Sequence, residues 1–131
     1  MKSLAEAVVV TTPSDVSLED ARKAVHMFDQ VKVPILGIVE NMSYLVCPHC
    51  KERVDVFSTG GGERTAREMN VQFLGALPLD PAVRMGGDSG HPVAYNGDNP
   101  QGAVFRELAQ RMIQRIAEVG PPTGPKIEIS E

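Results

Sequence analysis

The chain has 131 residues, room for one domain, with 42% hydrophobic and 23% charged residues, a globular composition. A net charge of −4 excludes a surface built to bind nucleic-acid phosphates. No apolar run approaches the roughly 20 residues of a membrane span, and no charged-then-apolar signal opens the chain, so the expected location is cytoplasmic, away from membranes.

The first predicted element is a buried strand around Ala7-Val8-Val9-Val10, apolar without alternation. Pro13 and Ser14 break it. A helix is expected from about Ser17 to Val31, because Leu18, Ala21, Val25 and Phe28 fall on one face. Ser17 with Asp20 resembles a weak capping box. Val33-Pro34 stops the helix. A second buried strand runs from Ile35 to Val39, with Gly37 marking a close approach by a neighbour.

After Glu40-Asn41-Met42-Ser43 the pattern changes. Tyr44-Leu45-Val46 and Val54-Asp55-Val56-Phe57 read as two short strands around the turn Cys47-Pro48-His49-Cys50-Lys51. Ser58 to Gly62 is a glycine-rich loop, followed by a short helix from about Glu63 to Met69. Phe73 to Leu77 is a third buried strand, ended by Pro78. Residues 79–99 are expected to be loop, with Gly86-Gly87 and Gly90 as turns. Asn99 caps a last helix with Pro100 at its first position. Phe105, Leu108, Met112, Ile116 and Val119 give it an apolar face. Gly120 and Pro121-Pro122 end it, and residues 120–131 read as a disordered tail. Buried strands alternating with helices predict an α/β fold: a three-layer parallel sheet with flanking helices, plus a small cysteine-bearing hairpin.

Cys47 and Cys50 are the sharpest chemical feature. Two thiolates two residues apart can grip one metal. Closed thiolate sites need about four ligands, and this chain has two cysteines. Either two copies meet at a two-fold axis or the site is partly open, and a symmetric dimer is the simpler completion. A thioredoxin-like redox pair is the competing reading, although such pairs start a helix. Two incidental thiols are the bland one. Gly60-Gly61-Gly62 could cradle an anion, but Glu63 follows in place of a lysine, which favours a tight start to a helix. Asn41, at the carboxyl end of the second strand, is placed for a ligand such as an adenine edge, or it forms a turn. Pro78-Leu79-Asp80-Pro81 lies on the same rim, where spacing favours a plain strand-to-loop turn. Arg84 and Asp88 read as solvated loop, and His26 and His91 as unpartnered.

Together these segments resemble the Mrp/ApbC-type iron–sulfur cluster carriers, within the MinD-like P-loop ATPases. The matching stretches are Val9 to Pro13, Val33 to Tyr44, Cys47 to Cys50, Gly60 to Glu63 and Phe73 to Asp80. They run in family order across about residues 5 to 117. The resemblance implies a homodimer holding a bridging [4Fe-4S] cluster between two cysteine pairs. It implies delivery of that cluster to apo iron–sulfur proteins, and ATP binding with slow hydrolysis. It matches Asn41 to an adenine-contacting residue, and Pro78, Leu79 and Asp80 to the segment against the base. Zinc is the alternative occupant of Cys47 and Cys50, in a purely structural dimer. A nucleotide-binding regulatory fragment is a further alternative.

One departure is large. The sequence contains no Gly-Lys-Ser or Gly-Lys-Thr. It resembles the C-terminal half of such an ATPase domain over residues 1–119. ATP with magnesium is therefore expected only in a full-length context, and this chain alone is not expected to hydrolyse ATP. An uncovered sheet edge, and with it self-association, is the structural corollary.

Overall fold

The computed structural model describes residues 6–95 and 97–119. The predicted tail, 120–131, lies outside them. Strand β1 is Ala7–Thr11, and helix α1 is Asp15–Gln30. The helix starts two residues before the expected position. Ser14 is its N-cap, accepting from the Ser17 N–H at 3.4 Å. The Ser17 hydroxyl is tied up by Thr12 at 2.8 Å, so no box with Asp20 forms. Strand β2, Ile35–Glu40, is buried from Leu36 onward, as a strand covered on both faces must be.

Strands β3 (Leu45–Val46) and β4 (Arg53–Val54) form an antiparallel hairpin with Leu45 opposite Val54. The ladder is shorter than expected on its second side. Asp55 accepts from Arg53 at 2.8 Å and from Thr59 at 2.9 Å, which curls residues 55–59 into a loop. Helix α2, Gly61–Glu68, begins two residues early, with Gly60 as N-cap at φ 68°. Strand β5 is Phe73–Ala76.

Helix α3, Pro81–Asp88, corrects the expected loop. Its start signal was present in the sequence: Asp80 is the N-cap, accepting from Ala82 N–H at 2.7 Å, and Pro81 takes the first position. Gly86 and Gly87 disguised it. Gly86 is needed because a Cβ there would sit 2.7 Å from the His91 carbonyl oxygen. Arg84 and Asp88 are an exposed i,i+4 ion pair on this helix, not loop. After a 3-10 turn at Val93–Tyr95, helix α4 spans Pro100–Val119. Asn99 caps it as expected, accepting from Gln101 N–H at 2.8 Å. No helix among the described residues is long and apolar enough to cross a membrane.

The parallel sheet has the order β1-β2-β5. Helices α1 and α2 cover one face over Val9, Ala21, Val25, Ile38 and Ala66. Helix α4 covers the other, over Leu36, Val39, Leu74 and Leu77. The cover is incomplete. Val10 on the outer strand β1 is 61% exposed, and Ile116, part of the predicted apolar stripe of α4, is 44% exposed.

Two irregularities in the sheet explain how α4 is held. The β1–β2 register passes from Ile35 to Gly37 and skips Leu36. The β2–β5 register passes from Phe73 to Gly75 and skips Leu74. The carbonyls of the two skipped residues take donors from α4. Arg115 Nε reaches Leu36 O at 3.3 Å, and Arg111 Nη1 reaches Leu74 O at 3.1 Å. Each arginine thus ties α4 to a backbone carbonyl of the sheet.

Candidate metal centre

The hairpin carries Cys47 and Cys50 at its tip, both as free thiols. Cys47 is half-buried and Cys50 exposed. The turn is closed by two backbone bonds: Cys47 N–H to Glu52 O, and Lys51 N–H to Cys47 O, each 2.9 Å. Lys51 takes the left-handed conformation at φ 64°, which lets the chain double back. Its ammonium donates to Pro48 O at 3.0 Å. At the hairpin base the Arg53 guanidinium lies over the Tyr44 ring, 4.3 Å from the centroid.

The Cys47 thiol is held below the ordinary range of a cysteine. The backbone N–H of Cys50 contributes most, then that of His49, then the Cys50 thiol; the Lys51 charge adds to them and burial opposes. The turn therefore favours the thiolate, the form that binds metal. Because the folded turn lowers this pKa, its preference for the thiolate is lost as pH falls through the lowered value. In metal-free, reduced protein, iodoacetamide is expected to modify Cys47 with a pH midpoint below that of an ordinary thiol. Mass spectrometry of the labelled peptide across pH checks this, and a midpoint at or above the free-thiol value contradicts it.

Among the described residues, no group of three or more His, Cys, Asp and Glu gathers that could hold a metal. The chain thus offers two thiols where a closed thiolate site takes about four ligands. The pair does not begin a helix, which removes the geometry of a thioredoxin-like redox pair. Val46, Val54, Val56 and Phe57 on and after the hairpin strands are exposed apolar residues, with Phe57 52% exposed. A cleft of about 530 Å³ separates Cys47 and Lys51 from Asp80 and the first turn of α4.

The residues matched to a nucleotide base lie together on the carboxyl-end rim of the sheet. The Asn41 side chain accepts from its neighbour Met42 N–H at 2.9 Å, the bond of a turn-forming asparagine. Pro78 is buried, and Leu79 donates its N–H to Tyr44 O at 2.7 Å. Both Asp80 oxygens are engaged, one by Ala82 N–H and the other by Gln101 Nε2 at 2.9 Å. Gly60-Gly61-Gly62 acts as the start of α2. The Gly62 N–H goes to Glu40 Oε2, not to open space. Glu40 was missed by sequence reasoning. Its signal was a carboxylate ending an otherwise apolar strand.

The family described as ParA, NUBPL iron-transfer P-loop NTPase, matches residues 1–113. The chain belongs to this family. An iron-sulfur cluster carrier protein of Pyrococcus furiosus is 43% identical over 113 residues, covering 86% of this chain and 38% of that relative. The iron-sulfur cluster transfer protein NUBPL of Dictyostelium discoideum is 42% identical over 114 residues, covering 86% of this chain and 35% of that relative. The solved structure of the cell division ATPase MinD of Pyrococcus furiosus superposes with a TM-score of 0.65 at 27% identity, over 85% of this chain and 43% of that one. The chain thus spans less than half the length of these relatives. The sheet and its flanking helices have the fold of the MinD-like P-loop NTPases.

Proposed function

We propose that this chain carries an iron–sulfur cluster as cargo, held by Cys47 and Cys50 of two copies meeting at their hairpins. The cluster is [4Fe-4S], four sulfurs from two chains being its ligand set. The recipients are apo iron–sulfur proteins, and the carrier works in a reducing compartment, the cytoplasm, where both thiols stay free. One observation carries the reading: two free thiols, two residues apart, on the tip of a hairpin whose turn favours the Cys47 thiolate. The exposed apolar side chains of the hairpin, Val46, Val54, Val56 and Phe57, favour burial against a second copy.

Anaerobic reconstitution with iron and sulfide tests the reading. About four iron per dimer is expected. Zinc at one per dimer in protein purified without oxygen would instead make the pair a structural bridge. A monomer free of both metals would overturn the proposal.

Asn41, Pro78, Leu79 and Asp80 are proposed as base contacts for ATP when a phosphate-binding loop is supplied. The chain by itself, with no Gly-Lys-Ser or Gly-Lys-Thr, is expected to release no phosphate from ATP above background. A malachite-green assay showing turnover would contradict that.

A further inference from the structure

We infer that Glu40 is a positioning residue for the paired thiolates, clasping both ends of the excursion that presents them. The inference rests on the carrier reading above and names a residue that reading does not contain. Glu40 is 3% exposed at the end of β2, where the chain leaves the sheet. Its two oxygens have separate partners. Ser43 Oγ donates to Oε1 at 2.7 Å, on the outgoing limb. Gly62 N–H donates to Oε2 at 2.5 Å, on the returning limb.

The hairpin between these points is held to the body by little else. Outgoing, Ser43 N–H donates to Leu77 O at 2.9 Å and Tyr44 O accepts from Leu79. From Cys47 to Thr59, the hydrogen bonds of this stretch stay inside the excursion, and Gly60 O accepts from Arg64 N–H in α2 at 3.0 Å. Gly62 to Glu40 is the first bond of the returning limb to the sheet. No space exists for anything else there: a Cβ on Gly62 would lie 2.7 Å from Oε2 and 3.0 Å from the Glu40 Cβ.

Burying a carboxylate is costly unless donors surround it. Here no Lys, Arg or His pairs with it among the described residues. Two hydrogen bonds and the N-terminus of α2 take that place. Such a group does more than fill a core: it fixes where the excursion leaves and where it returns. Four sulfurs from two chains bind one metal only if both hairpins hold one orientation, and clasping them removes freedom that assembly would otherwise have to remove.

Cobalt(II) titration of the full 131-residue chain tests this, with the metal alone as probe. The parent is expected to give a tetrathiolate spectrum at one cobalt per two chains. Ser43→Ala opens one end of the clasp and Glu40→Ala opens both. Both are expected to weaken the bridged site by about tenfold, and at saturating cobalt to shift the spectrum toward sites with fewer sulfurs. Lower global stability alone reduces the folded fraction, but leaves the coordination of the folded chains unchanged. Glu40→Gln is expected to rescue, because its amide oxygen can accept from Gly62 and its NH₂ can donate to Ser43.

If Glu40→Ala fails to fold, Ser43→Ala, which removes one hydroxyl, carries the test. A Ser43→Ala chain that binds cobalt with the parent's affinity and spectrum overturns the inference. So does a Glu40→Gln chain as weak as Glu40→Ala. A parent with no tetrathiolate spectrum overturns the carrier reading beneath it as well.

Discussion

A Cys50→Ser chain, reconstituted with iron and sulfide under nitrogen, is expected to stay colourless and bind no cluster. The argument is ligand counting joined to geometry. Each chain brings two sulfurs and no third ligand among the described residues. Serine oxygen does not replace a soft thiolate toward iron–sulfur clusters. Losing one sulfur per chain leaves two for the dimer, below the roughly four that a cluster needs. The fold should not notice, because Cys50 is exposed and the two backbone bonds that close the turn, between Cys47 and Glu52 and between Lys51 and Cys47, do not involve it. Iron and sulfide analysis therefore drops to zero while the thermal midpoint stays unchanged. Parent-like iron content in Cys50→Ser would remove the thiolate site altogether.

Gly37→Ala is expected to be strongly destabilising. A Cβ at Gly37 would lie 2.5 Å from the Gln72 carbonyl oxygen and 2.7 Å from Leu74 Cγ. That carbonyl cannot retreat freely, because it accepts from Ile38 N–H at 2.8 Å. Relief requires parting β2 from β5 at the centre of the sheet. The expected loss is about 3 kcal/mol, the upper range of overpacking in a close-packed core. Gly87→Ala is the control. Nothing lies within 4 Å of its Cβ position, and it sits in helix α3. Alanine there should stabilise by about 0.5–1 kcal/mol. Urea denaturation of the three chains measures both, and equal midpoints for Gly37→Ala and the parent would refute the close-approach argument.

Gly37 also shows what kind of feature a sequence reveals. A glycine inside a buried strand has few purposes, and the close neighbour it announces is present as Gln72. The same holds for Asn99-Pro100, whose cap chemistry is local and forms as written. Helix α3 lay hidden for the opposite reason. Asp80-Pro81 carried its start signal, but Gly86 answers to packing against the 91–93 backbone, which no local pattern contains.

By itself the sequence determined the alternation of buried strands and helices, the hairpin, and the two thiols with too few companions. These follow from periodicity, turn residues and ligand counts, all of which are short-range. Only the tertiary structure decided what the long-range partners do. It brought Glu40 against Gly62, 22 positions away, and Arg115 onto Leu36, 79 positions away. Such pairs depend on which backbone groups the sheet presents, and that is settled only when the strands have chosen their register. It also turned the pair of cysteines into a centre with a direction. The backbones of Cys50 and His49 hold the Cys47 thiol below the ordinary range, in a turn where Lys51 adopts a left-handed conformation that the residue type alone does not dictate.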